Sequence, residues 1–257
     1  MKFVFDLDGT ICFKGEPVSK RIVQSLLDLK SSGHELFFAS ARPIRDMLPV
    51  LDVRLHSYPL IGGNGSLLYQ HGEVIYSTSF HPNDLAKIHE LIDQYEATYL
   101  IDSEWDYAYT GPNNHPILDF LDPANLASSL PVESLNSIVK ILLLTSTNFQ
   151  DMLIDLKSLD IVVNTHTNEK VVDLSPANIH KWSALSTFGV SEEDFIAFGN
   201  DANDVSMFRK AKHAVMVGYH EGLSDYADEH IPLTGDYEEE IIKKLKDLSF
   251  KYIEVKE

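Results

Sequence analysis

The sequence predicts an α/β protein: a doubly wound parallel-sheet core with a smaller α+β unit inserted into it. Two observations carry this. First, short apolar runs at residues 3–5, 36–39 and 195–198 each stop at a polar cluster, and helical periodicity fills the first gap. A strand that is apolar on both faces belongs in a buried parallel sheet, and strand, helix, strand with a short return is a right-handed crossover. Second, the rhythm changes near Phe80 to paired strands and helices, and the first pattern resumes only near residue 180. The expected division is a discontinuous core of residues 1–79 and 180–257 around an inserted cap of residues 80–179.

Taken in order, residues 3–5 form the first strand and run into Asp6-Leu7-Asp8-Gly9-Thr10. Ile22, Leu26, Leu27 and Leu29 recur at helical spacing, and Ser31-Ser32-Gly33 ends that helix. Residues 36–39 make a second strand ending at Ser40-Ala41-Arg42-Pro43, and Leu60-Ile61 leads into a glycine-rich turn, Gly62-Gly63-Asn64-Gly65-Ser66. His81-Pro82-Asn83-Asp84 opens a helix over 84–96. Strands at 98–102 and 105–110, a helix over 119–128, a strand at 138–145, a helix at 149–158 and strands at 161–166 and 170–174 follow. The core resumes with a helix near Ile179, the strand at 195–198, a helical stretch over 205–211, a buried strand at 214–217 and an amphipathic helix over 237–248, with Glu early and Lys late as its dipole prefers.

At 257 residues and 44 % hydrophobic content the chain can bury one large core or two modest ones. Its formal charge of −18 repels phosphate backbones and anionic lipids, and no basic cluster compensates, so neither nucleic acid nor membrane is an expected partner. Cys12 is the single cysteine, which excludes an internal disulfide and fits a cytoplasmic protein. No signal-peptide pattern opens the sequence and no run is long enough to span a bilayer; residues 138–145 are strand-length and broken by Lys140.

The polar groups that end these strands carry the chemistry. In open parallel sheets ligands bind beyond the carboxyl ends of the strands, so Asp6, Ser40, Asn64 and Asn200 can converge although far apart in sequence. Asp6 and Asp8, at i and i+2, share one face of an extended chain. Two close carboxylates repel unless a cation or proton compensates, and hard oxygen ligands suit magnesium. One carboxylate can attack phosphorus and the other can hand a proton to the leaving group. The Gly9-Thr10 turn can aim backbone N–H groups at a phosphate. A lone Asp-x-Asp would more often cap a turn; here it follows a buried strand and precedes Gly-Thr.

These residues resemble a known family. Residues 5–10, Phe-Asp-Leu-Asp-Gly-Thr, are similar to the first motif of the haloacid dehalogenase (HAD) superfamily phosphatases. Ser40-Ala41-Arg42 resembles the second motif, Asn64-Gly65-Ser66 an element of the Cof-type branch, Lys181 the lysine of the third motif, and residues 199–204 with Met207 the fourth. The inserted unit matches the size and order of the Cof-type α/β cap, so the resemblance spans essentially the whole chain. It implies a Rossmann-like HAD core and a Mg2+-dependent phosphatase acting on small phosphate esters, sugar phosphates above all. It further implies Asp6 as nucleophile and metal ligand, and Asp8 as general acid and base whose backbone carbonyl binds the metal. Ser40, the N–H of Ala41, Lys181 and Asn203 would hold the phosphoryl group, while Arg42 and Asn64 are candidate substrate contacts.

Two residues depart from the family pattern. Ala41 replaces a glycine, which is tolerable if its backbone is not left-handed. Asn200 stands where the family has a metal-binding aspartate. Either Asn200 ligates through its carbonyl oxygen, or Asp201 or Asp204, behind the ligands, supplies the charge, or the metal is held weakly; ligation by Asn200 is favoured. Asp204 could also pair with Lys181. A phosphomutase and a catalytically weakened sugar-phosphate-binding protein are the alternative functions. Trp105, Tyr107 and Tyr109 alternate and could stack on a substrate ring, but such a stripe is more often core.

Overall fold

The computed structural model describes residues 1–166 and 171–252. The first core segment contains β1 (Lys2–Phe5), α1 (Lys20–Ser31), β2 (Glu35–Ala39), α2 (Ile44–Met47), β3 (Leu60–Gly62), β4 (Leu67–Gln70) and β5 (Glu73–Ser77). The inserted segment contains α3 (Pro82–Gln94), β6 (Thr98–Asp102), β7 (Tyr107–Tyr109), β8 (Lys140–Thr145), α4 (Phe149–Leu156), β9 (Ile161–His166) and β10 (Val171–Pro176). The chain then returns through α5 (Lys181–Thr187), β11 (Phe195–Gly199), α6 (Val205–Phe208), β12 (His213–Val217), α7 (Glu221–Ser224), β13 (Glu229–Ile231) and α8 (Tyr237–Lys251).

Two sheets result. The larger runs β13-β12-β11-β1-β2-β3-β4-β5, parallel from β13 to β3. Its faces follow from the period-two alternation of side chains. Phe3 and Phe5 join Ile22, Leu26, Ile241 and Leu245 beneath α1 and α8, whereas Val4 points the other way, among Leu185, Met207 and Leu223. Helices therefore cover both faces, the doubly wound arrangement. The smaller sheet runs β7-β6-β8-β10-β9 and is antiparallel throughout. Ile101, Ile141, Leu143 and Val172 on one face pack under α3 and α4 through Ile88, Ile92, Met152 and Leu156. Its other face, carrying Leu100, Leu142, Leu144 and Val171, packs with Ile117 and Leu121 of the loop that follows β7.

The structure departs from the expected elements in three places. No helix spans residues 119–128. Pro116 starts a short 3-10 turn that ends at Asp119, and Asp122 and Asn125 then adopt positive φ. The Asp122 carboxylate takes the N–H groups of Leu126 and Ala127, holding a compact loop in place of a helical turn. The core sheet also gains an antiparallel edge hairpin, β4–β5, closed by His71 and Gly72 at φ 55° and 93°. A two-residue loop with both residues at positive φ is the favoured hairpin turn, but His-Gly between the unbroken apolar runs 67–69 and 74–76 is not its usual signal, so the sequence alone does not reveal the hairpin. The helix expected over 205–211 is a single turn, α6. Of the strand expected at 170–174, Lys170 lies outside the described residues.

Leu26 is fully buried between α1 and the sheet. Leu26→Ala is expected to lower unfolding free energy by about 2–5 kcal/mol, read from denaturant unfolding.

Candidate active site

β1 lies at the centre of the core sheet, so whatever follows Phe5 sits amid the carboxyl ends of its neighbours. Asp6 continues the strand by donating its N–H to the Phe198 carbonyl, 2.9 Å. Its side chain is 4 % exposed. The Lys181 Nζ donates to Asp6 Oδ1 and to Asp204 Oδ1, both at 2.6 Å, with the ammonium group fully buried. Lys181 gets there as the first residue of α5, whose start is fixed by reciprocal bonds between His180 and Ser183. Asp204 arrives on the turn after β11 and also accepts the N–H groups of Asn200 and Asp201. A Cβ on Gly199 would lie 2.5 Å from the Asp204 carboxylate, so only glycine fits there.

Two buried carboxylates thus share one ammonium, and with both ionised the cluster carries one net negative charge. Burial pushes the Asp6 carboxyl up to about 7, against the pull of Lys181 and with the push of Asp204. Burial alone would lower Lys181, but Asp204 and Asp6 outweigh it and raise the ammonium's pKa.

Asp6 Oδ2 accepts the Thr10 hydroxyl at 2.8 Å, and that hydroxyl lies 3.3 Å from Asn200 Oδ1. Gly9 has φ 78° and a Cβ there would strike the Asn200 amide at 2.1 Å, so the glycine lets Asn200 lie against the turn. The Gly9 and Thr10 N–H groups are spent inside the turn, on the carbonyls of Cys12 and Leu7. These two donors are therefore already engaged by the turn itself. Asp201 faces the Ala202 N–H, 2.6 Å, and His220, 3.3 Å, while Asp204 is held by Lys181 and two amides. Of the three candidates after β11, Asn200 is the one beside the Asp6–Thr10 pair.

Ser40 ends β2 and is 1 % exposed; its Oγ accepts the Arg42 N–H at 3.1 Å. Ala41 is not among the residues with positive φ, so the alanine is unstrained. Arg42 meets Asp8 through two bonds, Nε to Oδ2 at 2.7 Å and Nη2 to Oδ1 at 2.6 Å. Its fork is therefore engaged by Asp8, itself half exposed, before any substrate arrives. Asn64, at φ 60°, accepts from the Asn203 amide at 3.2 Å and donates to Asp173 Oδ2 at 3.1 Å.

A family model for haloacid dehalogenase-like hydrolases matches residues 3–234. The chain belongs to that family. The structure of a HAD subclass IIB sugar phosphatase superposes with a TM-score of 0.77 at 19 % identity, over 96 % of this chain and 98 % of that one. A haloacid dehalogenase-like hydrolase from Bacteroides thetaiotaomicron gives a TM-score of 0.77 at 18 % identity, with the same coverage. In sequence, a Mycoplasma pneumoniae protein named "Putative phosphatase" is 25 % identical over 246 residues, 82 % of this chain and 84 % of that protein. The structural likenesses establish the fold: a HAD core with an inserted cap.

In this HAD-family hydrolase the inserted sheet reaches the core through buried polar groups that sequence reasoning did not assign. Lys140 Nζ donates to Asp173 Oδ2 at 2.9 Å and to the Ala41 carbonyl at 2.7 Å. Arg45, wholly buried, donates to Asp102 at 2.5 Å and to the Trp105 carbonyl at 2.8 Å, with its guanidinium over the Tyr107 ring. Asp46 accepts the Asp122 N–H at 2.9 Å. Asp102 and Asp173 each keep one buried carboxylate oxygen without a partner, at a cost of about 1–3 kcal/mol apiece. The available signal was a charge set against an apolar strand: Asp102 ends β6, Lys140 opens β8 and Asp173 lies within β10. The aromatic stripe does not form a platform. Trp105 precedes β7 and donates to the Leu126 carbonyl, and Tyr107 and Tyr109 pack against Leu100 and Leu144.

Between core and inserted sheet lies a cavity of about 440 Å³, bordered by Asp8, Ala41 and Arg42 on the core side. Among the described residues no group of three or more His, Cys, Asp or Glu is arranged as a metal site, and no helix is long and apolar enough to cross a membrane.

Burial also raises the Asp46 carboxyl to about 6, against the pull of Arg45. A carboxyl raised on folding stabilises below its unfolded pKa and loses that contribution as pH rises through the folded value. Asp46→Asn is therefore expected to flatten the fall in stability between about pH 4 and 6, by roughly 3 kcal/mol overall. Unfolding of the two proteins across that range checks it.

Proposed function

We propose that this hydrolase is a Mg2+-dependent phosphatase of small phosphorylated metabolites, acting through an aspartyl-phosphate on Asp6. The observation that carries the reading is the Lys181 ammonium, 2.6 Å from both Asp6 and Asp204 at the end of the central strand. An Asp6 oxygen attacks phosphorus as the ester P–O bond breaks, and Asp8 gives its proton to the departing alkoxide. Asp8 then takes a proton from water as that water attacks the acyl phosphate, freeing phosphate and Asp6. Before either transfer Asp8 exchanges Arg42 for the reacting oxygen. The Ser40 hydroxyl, the Ala41 N–H and the remaining Lys181 proton hold the phosphoryl oxygens. Asn203 steadies Asn64 and the phosphate side of the site.

The donors around Asp6 suit a hard divalent cation. Asp6 Oδ2 and Asn200 Oδ1 flank one hydroxyl, all are oxygens, and the buried cluster lacks one positive charge. Asp6, the Asp8 carbonyl and Asn200 would hold Mg2+, which when bound neutralises charge on the phosphoryl group. Asp201 and Asp204 support the turn that carries Asn200. Residues 80–179 act as the cap, and residues 1–79 with 180–257 as the catalytic core. The N–H of Phe80 bonded to Ile138 and the start of α5 at His180 support those limits. Cys12, buried and pushed up to about 12, suits a reducing cytoplasm but takes no part. Sugar phosphates are the substrate class that the resemblance suggests.

Two results test this. Nitrophenyl phosphate should be hydrolysed with Mg2+ and not after chelation. Asp6→Asn should keep its circular dichroism and lose turnover by at least about 10³-fold; retained activity overturns the nucleophile. Asn200→Asp adds a ligand charge and should lower the Mg2+ concentration for half-maximal activity by about tenfold, measured by metal titration.

A further inference from the structure

The walls of the cavity divide into two kinds of surface. On the cap face Asp102 stands opposite Lys140, and Asp173 opposite Leu142. These charged side chains are tied to the core through Arg45, the Ala41 carbonyl and Asn64. The same face continues as Leu100, Leu142, Leu144 and Val171, and Phe120 and Leu121 close it from the loop after β7. The charges are already answered by the protein: Asp8 by Arg42, Lys140 by Asp173 and Ala41, Asp46 by Arg45 and the Asp122 N–H. What the charged end leaves open to a ligand is the third Lys140 proton and, once Asp8 leaves it, the Arg42 guanidinium; the spare oxygens of Asp102 and Asp173 are buried.

A polyol in this space would set most of its hydroxyls against leucine, valine and phenylalanine, and an unmatched hydroxyl buried there is unfavourable. An apolar group would gain by leaving water at the same wall. We infer that the cavity takes the leaving group of the ester and that this group is the alkoxide of an apolar or aromatic alcohol, with its polar groups confined to the phosphate end. The inference rests on the phosphatase reading and narrows its substrate class away from sugars. Phosphate reaches Asp6 from the Asp8 and Ala41 side of the cavity, while the organic group lies along Leu100, Leu142 and Leu144. A pocket of this kind discriminates about 10–200-fold for each methylene it accommodates.

The test compares benzyl phosphate with a hexose phosphate esterified at its primary hydroxyl. Both are alkyl esters, so chemical lability does not decide the outcome. With the full chain and Mg2+, kcat/KM for benzyl phosphate should exceed that for the hexose phosphate by at least about tenfold. Leu142→Asn should pull that ratio down by a similar factor. Binding to Asp6→Asn, followed by calorimetry, should rank the two esters in the same order without turnover. Equal or inverted preference in both measurements overturns the inference and leaves the phosphatase intact. Failure of the wild type to turn over any ester, with benzyl phosphate still bound more tightly, removes the phosphatase reading and retains the pocket assignment.

Discussion

One ammonium group holds this site together. Lys181 comes from a helix 175 residues after Asp6, and the two meet at 2.6 Å, with Asp204 at the same distance on the other side. Lys and Asp are rarely buried this deeply unless paired. Removing Lys181 would leave two buried carboxylates facing each other uncompensated, which is strongly destabilising, whereas loss of either carboxylate leaves a balanced pair. The arrangement also fixes where the second core segment docks, since α5 and the turn after β11 must both reach β1 for the charges to be met. On the proposed mechanism, stability and chemistry draw on the same three side chains. The deficit of one positive charge among them is the feature that a divalent cation would answer.

The sequence revealed the parallel core because its signals are local. Residues 3–5, 36–39 and 195–198 are apolar on both faces and end at polar clusters, and that pattern identifies a buried strand without knowing its neighbours. Asp6, Ser40, Asn64 and Asn200 were found because they follow such strands, and Lys181 through the family resemblance. The pairing of Asp204 with Lys181 was legible as a possibility, and it is present. What stayed hidden is decided at long range. Arg42 binding Asp8 depends on β1 and β2 lying side by side, and Lys140 binding Ala41 and Asn64 binding Asp173 on how the inserted sheet docks, none of which a local pattern encodes. The helix expected at 119–128 failed for a local reason: the Asp122 side chain offered the backbone a better set of acceptors than a helical turn.

The inserted unit and the core are joined through polar groups as much as through apolar packing. Arg45 reaches into the cap for Asp102 and the Trp105 carbonyl, and Lys140 reaches out of it for the Ala41 carbonyl. Ala41 belongs to the turn that, on the proposed mechanism, cradles the phosphoryl group. The residues that shape the leaving-group pocket thus lie one hydrogen bond from those that meet the phosphate. Exchanging the aliphatic wall on β8 changes the neighbours of Lys140, so selectivity and reaction geometry are adjusted along a single strand.

The polar character of this joint bears on how the molecule breathes. Ions and amides that separate in water recover their hydration, so parting them costs less than pulling apart an oily seam of equal area. The seam of Arg45, Asp102, Lys140 and Asn64 is not wholly polar, since Val139 and Trp105 of the inserted unit pack into the core's apolar cluster and would part with it. With these groups buried while the seam is shut, dissolved salt would act on them little until they part and meet water.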